Sequence, residues 1–126
     1  MPDTVTLTIP ADTAYVAMAR SVAAATAARA DLPLDQLEDT RLAVDEALTQ
    51  AIADAAPGSE VACSFTVHGT GLVVEISSAS TSGQPPSTGT FSWIVMKALV
   101  DEVSADVQDG RLTLRLSLSR SFAVQA

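Results

Sequence analysis

A carboxylate and a carboxamide one helical turn apart, Glu46 and Gln50, are the side chains of this sequence best placed to do chemistry. They sit in the run Arg41-Leu42-Ala43-Val44-Asp45-Glu46-Ala47-Leu48-Thr49-Gln50-Ala51-Ile52, which reads as an amphipathic helix. Residues four apart share a helical face, so Glu46 and Gln50 lie together with Leu42 and Ala53, away from the stripe of Val44 and Leu48. A glutamate in that setting can accept a proton from a nucleophile one hydrogen bond away. Taken alone, the same residue is an ordinary exposed helix glutamate.

The rest of the chain must position that helix. At 126 residues it is expected to form a single domain over 1–126. With 48% hydrophobic residues it is a folded protein and not an acidic tail. Fifteen acids against seven Lys and Arg give a net charge of −8, which argues against direct nucleic-acid binding, because phosphate neutralisation needs a basic face. Eight of the acids and only Arg41 fall within residues 31–60, a local charge of −7. Such a helix surface serves first as a solubilising face and would also suit a basic protein partner.

Asp3 and no basic residue in the first ten positions predict no secretory signal. The alanine-rich stretch 22–30, interrupted by Arg29, predicts no membrane span. One cysteine, Cys63, forms no internal disulfide, and one His and one Cys make no metal site. The expected location is cytoplasmic.

Residues 4–9 alternate Thr4, Thr6 and Thr8 with Val5, Leu7 and Ile9, the period of a half-buried strand that Pro10 ends. Asp12 or Thr13 offers an N-cap for a helix to about Ala30. Asp31 and Pro33 begin a second helix over about 34–55, with a core stripe of Leu34, Leu37, Val44, Leu48 and Ile52 or Ala55, stopped by Pro57-Gly58. Two strands follow, burying Val61, Cys63, Phe65 and Val67, then Leu72, Val74 and Ile76, with His68 as a turn residue. Residues 77–90 read as a long polar loop, 91–102 as a short helix, and 103–108 with 111–120 as a closing hairpin at Asp109-Gly110. In the short helix Phe91, Ile94, Val95, Ala98 and Leu99 are expected on the sheet, leaving Trp93, Met96 and Val100 on another side. Trp93 and Met96 then read as interface anchors, although Trp93 would equally cap the core beside the loop. The predicted fold is an α+β two-layer sandwich, a mixed and mainly antiparallel sheet covered on one face by three helices.

The order of these elements resembles the GHKL (Bergerat-fold) ATPase domain. Within that superfamily the chain resembles the anti-sigma factors of the RsbW/SpoIIAB type. Residues 41–50 resemble the family's Leu-Ala-Val-x-Glu-Ala-x-x-Asn helix. Phe91-Ser92-Trp93 through Asp101-Glu102-Val103 resembles its third helix and the Asp-Glu-Val ending, closest to actinobacterial anti-sigma factors that hold sigma-F-like factors. The resemblance implies a protein that sequesters an alternative sigma factor and releases it by partner switching with an anti-anti-sigma (STAS-domain) protein. It also implies a homodimer, for which a mean hydropathy of +0.29 leaves apolar surface to spare. Arg20 matches a family arginine that contacts both partners.

In active members the helix glutamate, here Glu46, is the general base, and the asparagine one turn on, here Gln50, holds Mg²⁺ beside ATP. The alternative function is therefore an ATP-dependent serine kinase acting on the anti-anti-sigma protein. The nucleotide motifs depart from the pattern. The family's Asp-x-Gly-x-Gly gives way to Ser77-Ser78-Ala79-Ser80, only Gly83 and Gly89 remain of the lid glycines, and no charged residue occurs between Glu75 and Lys97. Gln50 is one methylene longer than asparagine, a large error for octahedral Mg²⁺. The expectation is a degenerate pocket, with no tightly bound cofactor and at most weak Mg-ATP.

Overall fold

The computed structural model describes residues 2–120. The elements run β1 (Asp3–Pro10), α1 (Val16–Arg29), α2 (Leu34–Ala53), β2 (Glu60–His68), β3 (Gly71–Ala79), α3 (Phe91–Leu99), β4 (Glu102–Gln108) and β5 (Arg111–Ser119). The strands form one sheet in the order β1-β2-β3-β5-β4. Alternating residues of β2, β3 and β5, from Val61, Cys63 and Phe65 to Leu114 and Leu116, are fully buried against the helices. Their neighbours along each strand stay partly open, as a sheet covered on one face requires.

The expected mixed sheet is antiparallel at all four pairings. The reason lies in the connections. Between β1 and β2 the chain passes through two helices, and the extra reversal brings β2 back antiparallel. Between β3 and β4 it passes through one, so these strands run the same way, but β5 inserts between them and removes the parallel pairing.

Local chemistry sets the boundaries. Asp12 accepts a hydrogen bond from the Ala14 amide at 2.9 Å and caps a 3₁₀ turn, Thr13–Tyr15, that feeds α1. Asp31 was expected to open α2. It instead closes α1 in the left-handed region (φ 58°), where the Leu32 amide reaches back to the Ala27 carbonyl at 3.1 Å. α1 buries Ala19, Ala23 and Ala27 completely, small residues that let α2 approach closely. α2 buries Ala43, Val44, Ala47, Leu48 and Ala51. Leu34, expected in that stripe, is 72% exposed, because the first turn of α2 projects beyond the core. At the last hairpin Asp109 and Gly110 both take positive φ, the conformation of a type I′ turn.

β3 is longer than expected. Ser77, Ser78 and Ala79 pair with Thr113, Leu112 and Arg111, so the irregular loop covers 80–90 and not 77–90. α3 ends at Leu99, and Glu102, expected in the helix, begins β4.

The facing of α3 is the reverse of the expectation. Trp93 (7% exposed), Met96 and Val100 are in the core, whereas Phe91 is 81% and Ile94 56% exposed. A helix apolar nearly all round gives no periodic signal for its own rotation. In the rotation adopted, Trp93 and Met96 pack into the core and Ser92 turns toward α2.

Candidate functional site

Glu46 and Gln50 of α2 and Asp54, its C-cap, follow one another at one-turn spacing, and Glu46 and Asp54 meet α3 and the 80–90 loop. Glu46 is partly buried, and its Oε2 accepts a hydrogen bond from Ser92 Oγ at 2.7 Å. Thr90 caps α3 just before this contact, its hydroxyl accepting from the Trp93 amide at 3.2 Å. The first turn of α3 is therefore fixed to the middle of α2, and the carboxylate proposed as a base already has a hydroxyl partner. Gln50 is half-buried on the same flank.

Asp54 was not singled out by sequence reasoning, yet it gathers the loop. Ser80 Oγ donates to Asp54 Oδ2 at 2.5 Å, and the Ser82 amide and Thr81 Oγ1 donate to Oδ1 at 3.0 and 3.2 Å. The Thr81 amide also donates to the Asp54 carbonyl at 2.8 Å. Ser80 Oγ accepts in turn from the Gly83 amide at 3.0 Å, so the clasp is self-consistent. Burial raises the Asp54 pKa, but the donors on Ser80, Ser82 and Thr81 outweigh it and hold the carboxyl below 3.8. The available signal was the spacing: an acid four residues beyond Gln50, followed later by a run of three hydroxyl residues.

Ser78 occupies the end of β3 beneath this region. Its side chain is fully buried, and its Oγ has no hydrogen-bond partner among the described residues.

The other predicted residues lie apart. Arg20 projects from α1 toward the opposite flank of α2, 3.6 Å from Asp45, with both side chains more than a third exposed. Pairs of this kind contribute at most about 1 kcal/mol, so Arg20 remains available to a partner. Met96, expected as a surface anchor, is a core residue; Trp93, read equally as an anchor or as a cap on the core, is also buried, and the apolar surface of α3 is formed by Phe91 and Ile94. Cys63 is buried in β2, which pushes its thiol up to about 11. A cavity of about 420 Å³ lies on the bare side of the sheet, with Thr66, Glu75, Arg115 and Ser117 in its wall and none of the α2 residues. Among the described residues, no helix is long and apolar enough to cross a membrane.

Comparison with known proteins supplies the wider setting. Residues 9–118 match the family described as the histidine kinase-like ATPase domain. The chain is 35% identical over 107 residues to the anti-sigma-F factor RsbW of Mycobacterium tuberculosis (strain H37Rv), covering 85% of this chain and 63% of that protein. It is 32% identical over 85 residues to proteins named serine-protein kinase RsbW in Listeria monocytogenes and Listeria innocua, covering 65% of this chain and 54% of theirs. The chain thus spans less than two thirds of the length of the curated relatives it matches. A match running from the end of β1 into the last residues of β5, over both long helices and α3, means that this chain belongs to the histidine kinase-like ATPase domain family.

Proposed function

We propose that this chain is an anti-sigma factor: it binds an alternative sigma factor in the cytoplasm, blocks its access to core RNA polymerase, and lets it go when an anti-anti-sigma protein of the STAS type competes for an overlapping surface. The observation that carries the reading is the similarity to the mycobacterial anti-sigma-F factor along 85% of the chain. Arg20 at the α1–α2 surface and the exposed pair Phe91 and Ile94 on α3 are the proposed partner contacts, in place of Trp93 and Met96. The protein acts as a homodimer in this reading.

The proposal includes independence from nucleotide, because the residues present do not fit Mg-ATP. Glu46 is engaged by Ser92, and Asp54 ties the loop to α2 where the family has a lid. The buried acceptor at the end of β3 is a serine hydroxyl and not a carboxylate, which costs the charge-assisted bond. No cationic side chain occurs between Glu75 and Lys97 to meet a triphosphate. These features support a pocket that has been closed by its own side chains.

Capture of native-lysate proteins on the tagged chain tests the proposal: a stoichiometric sigma factor is expected, and its absence with any amount of other protein contradicts it. A second reading, serine kinase activity, draws on the names of the Listeria relatives. Transfer of labelled phosphate to the anti-anti-sigma partner, lost in Glu46→Ala, would establish it over sequestration alone.

A further inference from the structure

We propose that the seam between α2 and α3 docks a basic amphipathic helix of the captured protein, one with apolar residues at i and i+3 or i+4 and Lys or Arg beside them. The inference rests on the proposed capture of a sigma factor and names the segment that this surface takes.

Three hydrogen bonds fix how the two helices run. Ser92, in the first turn of α3, donates to Glu46 in the middle of α2. At the other end, Asp101, just beyond α3, accepts from the Ser119 amide, and Gln36, near the start of α2, donates to the Ser119 carbonyl. α3 therefore runs back along α2, beside the stretch from Glu46 to Gln36.

At ~100° per residue, the circuit of α3 from Ser92 away from buried Trp93 and Met96 meets Val95 and then Phe91. Val95 is half-buried and Phe91 exposed, so this wall of the seam is apolar. On α2, Asp35, Asp39, Leu42 and Glu46 recur at i, i+4, i+7 and i+11 and form one stripe, on the flank that Glu46 turns toward α3. Leu42 is 53% exposed. One wall thus carries Leu42 between carboxylates, and the other carries Val95 and Phe91.

Charge and shape choose the occupant. The α2 stripe carries three carboxylates and no cation. Arg41, the one cation between Asp35 and Glu46, lies off the stripe and pairs with Glu38 at 3.2 Å. Exposed apolar side chains set among carboxylates repel an acidic segment and attract one whose own apolar residues are flanked by Lys or Arg. Both walls are helices, whose backbone groups bond internally, so the seam has no edge to pair with a strand. It offers rows of side chains into which the ridge of a third helix packs. From Asp35 to Glu46 the stripe is about 16 Å long, three turns of such a helix.

The affinity of the full chain for the captured sigma factor, measured at low and high salt, tests the seam. Leu42→Ser is expected to weaken binding about tenfold and to keep its salt dependence. Asp35→Asn with Asp39→Lys is expected to weaken it about tenfold at low salt and to flatten the salt dependence. Asp3→Asn with Asp106→Lys makes the same change of net charge on the sheet and is expected to leave affinity within about twofold. Circular dichroism is expected to be unchanged throughout. Capture that is indifferent to both seam variants overturns the inference and leaves the sigma-factor reading standing. If no sigma factor is captured, that reading fails, and labelled synthetic helices of Leu and Lys or of Leu and Glu decide the seam on the chain alone. The Leu–Lys helix is expected to bind, more weakly to Leu42→Ser, and the Leu–Glu helix is not. Equal binding of a Leu–Lys peptide broken by proline, or binding indifferent to Leu42→Ser, overturns the seam.

Discussion

Ser92 Oγ lies 2.7 Å from Glu46 Oε2, so the hydroxyl in the first turn of α3 satisfies the carboxylate at the middle of α2. The same rotation of α3 puts Trp93 and Met96 inward and Phe91 and Ile94 outward. The bond also occupies the side chain that would act as a base. Ser92→Ala removes a hydrogen bond to a charged, partly buried group and is expected to lower unfolding stability by about 1–2 kcal/mol. Urea denaturation checks this; an unchanged midpoint would mean that the bond does not hold α3.

The reversed facing of α3 separates surface from core by mutation. Phe91→Asp and Ile94→Asp are expected to leave stability within about 0.5 kcal/mol of wild type and to weaken sigma-factor capture. Trp93→Ala is expected to cost about 3–5 kcal/mol through loss of packing. Thermal melts alongside capture assays distinguish the two groups, and a neutral Trp93→Ala would refute the burial.

Asp54 gives the loop a pH dependence with a definite sign. Its folded carboxyl lies below 3.8, so it contributes stability that is fully present above 3.8 and is lost as pH falls through the lower folded value. Hydrogen exchange at residues 80–84 is expected to gain protection from the clasp at neutral pH and to lose it in acid. Asp54→Ala should exchange rapidly at both pH values, and slow exchange in that variant would show that the loop is held by something else.

Ser78 buries a hydroxyl without a partner. Ser78→Ala should therefore be neutral or slightly stabilising, whereas removal of a bonded hydroxyl costs about 1 kcal/mol. A clear destabilisation in calorimetry would require a bound water or another acceptor at that point.

The buried Cys63 thiol, with its pKa pushed to about 11, is expected to resist thiol reagents at pH 8 in the native state and to react at once in denaturant. Rapid native labelling would contradict the packing of β2.

The alternating strands were readable because one face of the sheet is dry: Leu112, Leu114, Leu116 and Leu118 are all buried, as their spacing requires. The Asp12 cap and the Asp109-Gly110 turn were readable because few residues accept those conformations. The length of β3 was not, since Ser77, Ser78 and Ala79 carry no strand-like alternation and are held by pairing with β5. The face of α3 was hidden because Phe91, Trp93, Ile94 and Met96 are all apolar, so the pattern does not say which of them packs inward. At the site, Glu46 and Gln50 were visible from the one-turn spacing. The clasp at Asp54 joins residues 26 to 28 positions apart and depends on a tertiary meeting that local pattern does not encode.

A sigma-factor binder that works without nucleotide is tested by calorimetry of the chain with its captured sigma factor, with and without Mg-ATP. The same dissociation constant is expected in both buffers, with no heat from Mg-ATP alone. Binding that requires Mg-ATP, or that tightens tenfold with it, would contradict the closed site built from Glu46, Ser92 and Asp54.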